Sequence, residues 1–147
     1  MKRTHQLPSS RLLTLMDQIP FFNRITLDER EQIIRSAQIF VADPGEPVIE
    51  KGAKDTCFYV LLSGSVRVEL EPGGRLLAEL TPGDIFGEIG FVLNTPRTSY
   101  VTASRMCALL RVDQTLLNRL AVSAREKIKD QIILKLATTI ERLNEDS

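Results

Sequence analysis

The spacing of apolar residues changes twice along the chain. In the first forty residues it is helical: the run from Leu12 to Met16 predicts a short amphipathic helix that Pro20 ends. Thr26 and Glu29 then have the spacing of a capping box, in which each residue satisfies a backbone N–H of the other. This predicts a second helix from Leu27 to Ser36.

From about residue 40 the pattern is that of strands. Gly, Pro and Asp interrupt short apolar runs at intervals of about ten residues, which is typical of an all-β sandwich or barrel. Apolar and polar residues alternate in Val66–Leu70 and in Leu76–Leu80, on either side of Gly73 and Gly74, so we predict a hairpin with one inward face. Met106–Val112 predicts a further strand.

After Asp113 glycine and proline disappear and the helical period returns. Leu116, Leu117 and Leu120 predict a short helix. An apolar stripe marks a longer helix and consists of Ile128, Ile132, Leu136, Ile140 and Leu143. Such a stripe packs on the barrel or on a second copy of the chain, and stripes of this kind usually face the core. The predicted architecture is therefore helices, a β-barrel, and helices again.

Composition narrows the class of protein. The 147 residues are 43% apolar and 26% charged, with no apolar run long enough for a membrane span, so we expect one soluble domain. Nineteen basic residues balance nineteen acidic ones, which argues against nucleic acid or a membrane as partner. Cys57 and Cys107 form no CxxC pair, and this favours a reduced, cytoplasmic protein.

The histidine count argues against catalysis and against a metal site. His5 is the single histidine and lies in the N-terminal tail, whereas metal-dependent barrel enzymes need several converging imidazoles. Catalysis by carboxylates alone would need a pair, yet Glu88 is the only acid with an evident task in the motif described next. We therefore predict a binding protein without metal or cofactor.

The segment from Phe86 to Ala103 carries the chemistry. Gly87 allows a close approach to the backbone, and the next residues can form a helical turn whose free N–H groups face an anion. Arg97 offers a planar fork of donors for two oxygens of one phosphate, and Thr98 adds a hydroxyl. Glu88 can accept a hydrogen bond from a neighbouring sugar hydroxyl. These groups suit a singly charged phosphate fused to a ribose.

This segment resembles the phosphate-binding cassette of the cyclic nucleotide-binding domain family, to which the catabolite activator protein and the regulatory subunits of protein kinase A belong. The matching residues are Phe86-Gly87-Glu88 and Pro96-Arg97-Thr98-Ser99-Tyr100-Val101. The resemblance extends over about residues 20 to 143. It implies a double-stranded β-helix, or jelly-roll, barrel of about eight strands. We accordingly divide the chain into a helical segment, residues 1–25, and a cyclic nucleotide-binding domain, residues 26–147.

The resemblance also implies roles for particular residues. The backbone of Gly87, Glu88 and Ile89 would hold the cyclic phosphate, with Arg97 on its exocyclic oxygens and Thr98 beside it. Glu88 would accept from the ribose 2′-hydroxyl. Three residues would line the sugar or base side, namely Val68, Leu77 and Ala78. The final helix, with Arg142 and Leu143, would close as a lid over the base.

Each of these roles has a plainer alternative. Glu88 and Arg97 could form an ion pair that braces a loop, and surface pairs of this kind contribute little. Val68, Leu77 and Ala78 could simply fill the core.

The functional prediction is a regulatory module that binds cAMP and passes its occupancy through the flanking helices to a downstream partner that the sequence does not name. cGMP is the alternative ligand, because Thr98 directly after the arginine resembles cGMP-preferring kinases and channels. A second alternative is the sensor part of a transcription regulator whose helix-turn-helix is absent from this chain. A homodimer through the final helix is a further partner interaction that we consider.

Overall fold

The computed structural model describes residues 1–145, so the last two residues of the predicted unit 26–147 lie outside the described residues. The helices are α1 (Ser9–Asp17), α2 (Leu27–Ser36), α3 (Glu88–Leu93), α4 (Gln114–Arg119) and α5 (Val122–Glu145), with a 3₁₀ turn at Pro20–Phe22. The strands are β1 (Lys2–Thr4), β2 (Gln38–Ala42), β3 (Pro47–Ile49), β4 (Cys57–Ser63), β5 (Val66–Glu69), β6 (Leu76–Leu80), β7 (Ile85–Phe86), β8 (Tyr100–Ala103) and β9 (Cys107–Asp113).

The strands form two antiparallel sheets. One has the order β1-β2-β9-β4-β7 and the other β3-β8-β5-β6. The prediction of a mainly β fold with flanking helices is therefore confirmed. A closed barrel of about eight strands is not confirmed, because residues 1–145 form nine strands and no strand pairing among these residues joins the two sheets.

The five-stranded sheet is the middle of three layers, and this explains the long apolar runs in β4 and β9. In β9, Cys107 and Leu109 face the four-stranded sheet, whereas Leu110 and Val112 face the helices. Successive side chains of a strand point to opposite faces, so a strand buried on both sides has no polar alternation. The strand predicted at Met106–Val112 is observed one residue later.

The helical layer joins both ends of the chain in one apolar cluster. Leu12, Met16 and Phe22 from the N-terminal segment are buried in the same cluster as Ile128 and Ile132 of α5. β1 was not predicted, because Lys2, Arg3 and Thr4 carry no apolar signal; its backbone pairs with the edge of β2.

The apolar stripe of α5 divides into two parts. Ile128 and Ile132 are buried against the core and Leu136 packs partly on it, but Ile140 and Leu143 are 60% and 63% exposed. The first half of α5 therefore belongs to the core, and the second half presents its apolar residues to solvent. No helix within residues 1–145 is both long and apolar enough to span a bilayer.

Glu29 ties the start of α2 to α5. The predicted capping box is present, since Glu29 Oε1 accepts from the Thr26 N–H at 2.9 Å and the Thr26 hydroxyl accepts in return. The same carboxylate accepts from Lys127 Nζ at 2.6 Å and from the Ser123 hydroxyl at 2.8 Å, both on α5. The hydrogen bond from Lys127 is the largest cause that lowers the pKa of Glu29 from its ordinary 4.5 to about 2.

Replacing Glu29 by glutamine is expected to destabilise the fold by about 1–2 kcal/mol at neutral pH, because charge-assisted hydrogen bonds become neutral ones. A carboxylate with a lowered pKa contributes its full stability above pH 4.5 and loses it as the pH falls toward 2. The difference between wild type and Glu29→Gln in urea unfolding should therefore shrink across this range. Glu31→Gln, on the same helix, is the control; a difference independent of pH would contradict this role of Glu29.

Candidate functional site

The turn between β7 and α3 depends on Gly87. Its φ of +82° lies in the left-handed region that favours glycine, and the residue is the N-cap of α3. The Gly87 carbonyl accepts from the Phe91 N–H at 3.3 Å and from Arg97 Nη1 at 2.7 Å. A Cβ on Gly87 would lie 3.0 Å from Arg97 Nη1 and 3.1 Å from Ile49 Cδ1. Glycine is thus required by the backbone conformation and by the packing of Arg97.

Arg97 is buried and held at both its backbone and its side chain. Its N–H donates to the Ala53 carbonyl and its carbonyl accepts from the Gly52 N–H, each at 2.8 Å. Its side chain reaches inward, where Nη1 donates to the Gly87 carbonyl and Nη2 to the Cys57 carbonyl, each at 2.7 Å. The guanidinium therefore links strand β4 to the turn before α3.

The charge of Arg97 is not compensated by a carboxylate. The residue is 5% exposed, and within residues 1–145 it forms no ion pair. Its Nε is a buried nitrogen without a hydrogen-bond partner in the described part of the chain. Buried polar groups are nearly always paired, and a buried cation is costly without a counter-charge. Among the described residues, the Nε–H of Arg97 is thus without an acceptor and its positive charge is not balanced by a carboxylate.

A cavity of about 270 Å³ lies beside this guanidinium. Its apolar wall is formed by Ile49, Val68, Ala78, Leu80, Phe86 and Val101. Its polar wall is formed by residues 87–90 of the turn and α3, by residues 95–99, and by Lys135 of α5. Behind Phe86, the ring of Tyr59 stacks at 5.5 Å between centroids, and burial raises the pKa of this phenol above its ordinary value. The cavity is therefore amphipathic, with its cationic side at Arg97.

Glu88 pairs with α5 and not with Arg97. Its side chain is 9% exposed, and its Oε1 lies 2.8 Å from Lys135 Nζ, which also donates to the Ile85 carbonyl. The alternative of a Glu88–Arg97 ion pair is thus wrong for this structure. Lys135 had no signal in the sequence, since a lysine on an amphipathic helix is ordinary and its contact with Glu88 spans 47 residues of chain.

All the predicted site residues except Leu77 line the cavity. Val68 and Ala78 are cross-strand partners in β5 and β6, and both face it. Leu77 is 46% exposed and does not line the cavity; it lies at the register shift between the cross-strand pairs Val68–Ala78 and Glu69–Leu76. Its neighbour Ala78 lines the cavity, and adjacent residues of a strand point to opposite sides, so in this structure Leu77 lies away from the other predicted residues.

Gly90 is a site residue that the sequence analysis did not single out. It is buried in α3, and a Cβ there would lie 2.8 Å from Arg97 Nη1 and 3.4 Å from the Thr95 carbonyl. Its signal was present in the Phe-Gly-Glu-Ile-Gly run, in which a second glycine follows the first after two residues. Gly87 and Gly90 together leave the space that the guanidinium occupies.

The predicted lid residues do not reach this cavity. Arg142 lines a separate groove of about 250 Å³ between α5 and the turn at Gly83 and Asp84, and Leu143 is 63% exposed. Lys135, about two turns earlier, is the residue of α5 that lines the cavity. In this arrangement α5 touches the cavity at its edge and does not cover it.

Comparison with known proteins places this geometry in a family. Over 92 residues the chain is 34% identical to a cAMP-dependent protein kinase regulatory subunit of Mycosarcoma maydis, covering 61% of this chain and 17% of the relative. Over 101 residues it is 29% identical to a cGMP-dependent protein kinase of Toxoplasma gondii, covering 69% of this chain and 10% of the relative. The chain thus spans a small part of the length of these relatives.

The fold has solved counterparts. A structure described as "Sp-2Cl-cAMPS bound to PKAR CBD2" superposes with a TM-score of 0.72 at 20% identity, covering 95% of this chain and 94% of the other. Residues 40–123, more than half of the sequence, match the family described as "Cyclic nucleotide-binding domain". The chain belongs to the cyclic nucleotide-binding domain family.

Proposed function

We propose that this chain is a regulatory module that binds cAMP in the cavity beside Arg97. The observation that carries the proposal is the buried guanidinium, which has a free Nε donor, no carboxylate partner within residues 1–145 and an open cavity next to it. A cyclic phosphate would supply both the missing acceptor and the missing negative charge.

The other groups of the cavity suit the rest of such a ligand. The first-turn amides of α3 have no intrahelical acceptors and would serve the phosphate together with the Thr98 hydroxyl. Glu88 would accept from the ribose 2′-hydroxyl, while Val68 and Ala78 provide an apolar wall for the sugar or base. Within residues 1–145, Glu88 is the only carboxylate that lines the cavity, and this supports binding and not catalysis as its task.

cGMP is the alternative ligand. Thr98 is exposed and lines the cavity, so its hydroxyl is available to a guanine 2-amino group as well as to a phosphate. One relative is named for cAMP and the other for cGMP, which leaves both nucleotides in the proposal.

Occupancy would be transmitted through α5 by way of Lys135. Lys135 forms an ion pair with the carboxylate of Glu88 that the ribose would use, and Glu88 is almost completely buried. A ribose 2′-hydroxyl that donates a hydrogen bond to Glu88 would weaken the ion pair between Glu88 and Lys135. Ligand binding would thereby favour the release of α5 from the core. Ligand binding and α5 docking are then coupled, and each opposes the other.

Lys135→Met is expected to raise cAMP affinity by up to about fivefold, because the empty form loses an ion pair worth roughly 1 kcal/mol at this half-exposed position. The same substitution should lower the thermal stability of the unliganded chain. Calorimetry and thermal unfolding measure the two effects, with Lys129→Met on the exposed side of α5 as the control. A fall in affinity would mean that Lys135 contacts the ligand and does not oppose it.

The exposed half of α5 supports a further proposal, a homodimer through this helix. Ile133, Ile140 and Leu143 are each about 60% exposed in the isolated chain, and a second copy would cover them.

The alternative to a module that acts on a separate partner is the sensor part of a transcription regulator. The free thiols of Cys57 and Cys107, both buried, support a reducing, cytoplasmic location.

Isothermal titration of the chain with cAMP, cGMP and 5′-AMP tests the proposed function. Saturable binding of one or both cyclic nucleotides, with a higher affinity than that of the open-ring 5′-AMP, would support it. The cyclic nucleotide with the higher affinity would then be identified as the ligand. Equal or absent binding of all three would overturn it.

A further inference from the structure

A second polar pocket lies at the edge of the fold, where β1, the end of α2, β9 and α4 meet. It has a volume of about 280 Å³ and shares no lining residue with the cavity beside Arg97. Three arginines from three different elements line it: Arg3 of β1, Arg111 of β9 and Arg119 of α4. Their convergence is a product of the tertiary fold and not of a basic run in the sequence.

The charge of this pocket is strongly positive in a chain whose formal net charge is zero. Asp113 is the only carboxylate among the described residues that line it, and it is already paired with Arg111 at 2.6 Å and accepts from the Leu116 N–H at 2.8 Å. Arg3 and Arg119 form no ion pair with any residue in the range 1–145. Two guanidinium charges therefore remain without a counter-charge around one small volume.

The remaining polar groups of the pocket are suited to an oxyanion. Arg111 is only 26% exposed at its side chain, and its contacts with Asp113 and with the Gln38 side chain at 3.4 Å fix its position. The hydroxyls of Ser36 and Thr115 also line the pocket and can donate. Planar guanidinium groups together with hydroxyl donors match the several acceptor oxygens of a phosphate.

We propose that this pocket binds a phosphate group, free or as a monoester, at a site separate from the nucleotide cavity. Arg3 and Arg119 supply the attractive charge, the positioned Arg111 supplies a fixed donor, and the two hydroxyls complete the coordination. The site does not depend on the proposed nucleotide function, because its residues and its donors are all different.

The test is a titration of the ¹⁵N-labelled chain with inorganic phosphate and with phenyl phosphate, at constant ionic strength set by chloride and with saturating cAMP present. Saturable shifts are expected for the amides of Ser36 and of residues 113–119, and not for those of residues 87–90 in the other cavity. Tighter binding of phenyl phosphate would indicate a monoester as the ligand, and equal binding would indicate free phosphate.

Variants separate the site from general surface charge. The double substitution Arg3→Ala and Arg119→Ala is expected to weaken binding by about tenfold or more, and Arg24→Ala, at another exposed arginine, should not. Thr115→Glu keeps every arginine, places a negative charge in the pocket and should abolish binding. Shifts that do not saturate, shifts confined to residues 87–90, or an equal effect of Arg24→Ala would overturn the proposal.

Discussion

Arg97→Ala is expected to lower the affinity for cAMP by about a hundredfold or more. The fork of this arginine would make two charge-assisted hydrogen bonds to the phosphate, each worth about 1.5–3 kcal/mol. The structure adds a second expectation, since the same side chain donates to the carbonyls of Gly87 and Cys57. Its removal leaves these carbonyls without that donor, so the alanine variant should also unfold at a lower temperature.

Arg97→Lys separates binding from folding. Lysine keeps the positive charge and can reach one acceptor, but it has no planar fork, so a large affinity loss is expected with a smaller loss of thermal stability. Calorimetry and thermal unfolding give the two quantities, and Arg75→Ala, at an exposed arginine remote from the cavity lining, is the matched control. A folded lysine variant that binds cAMP as tightly as wild type would mean that Arg97 only braces the turn before α3.

Glu88→Gln is expected to remove most of the preference for a ribose over a 2′-deoxyribose. A carboxylate accepting from the 2′-hydroxyl should make cAMP bind about tenfold tighter than 2′-deoxy-cAMP, because a hydrogen bond to a charged group is the stronger kind. The glutamine side chain is neutral, so this ratio should fall several-fold. Competition binding with both nucleotides provides the measurement.

The ratio of the two affinities is the informative quantity for Glu88. The substitution also weakens the contact with Lys135, which by itself would raise the affinity for every nucleotide. This second effect is common to both nucleotides and cancels in their ratio. Glu50→Gln, at an exposed acid, is the control. An unchanged ratio in Glu88→Gln would assign Glu88 to the docking of α5 alone.

The parts of the fold that local chemistry determines were predictable. The spacing of the capping box correctly predicted the start of α2, and the alternation of apolar and polar residues around Gly73 and Gly74 correctly predicted the hairpin of β5 and β6. β1 was missed because a polar edge strand is defined by its pairing with β2 and not by its own residues. The choice between a two-sheet arrangement and a closed barrel was likewise not evident, since pairing between distant strands leaves no local pattern.

The candidate site divides in the same way. Gly87, Glu88 and Arg97 stand in one contiguous motif, and the structure brings them to one cavity. Leu77 does not line the cavity, because the direction of a side chain in an edge strand depends on the pairing and register of that strand, which the sequence does not show. Lys135 and the inward hydrogen bonds of Arg97 are contacts between distant segments, which the chemistry of single residues does not specify.

A crystal structure of the chain grown with saturating cAMP would show where the nucleotide binds. We expect the nucleotide in the cavity beside Arg97, with the phosphate within hydrogen-bond distance of the guanidinium and of the first amides of α3, and with the 2′-hydroxyl on Glu88. A nucleotide bound elsewhere, or a cavity that stays empty while Arg97 keeps only its contacts with Gly87 and Cys57, would contradict this expectation.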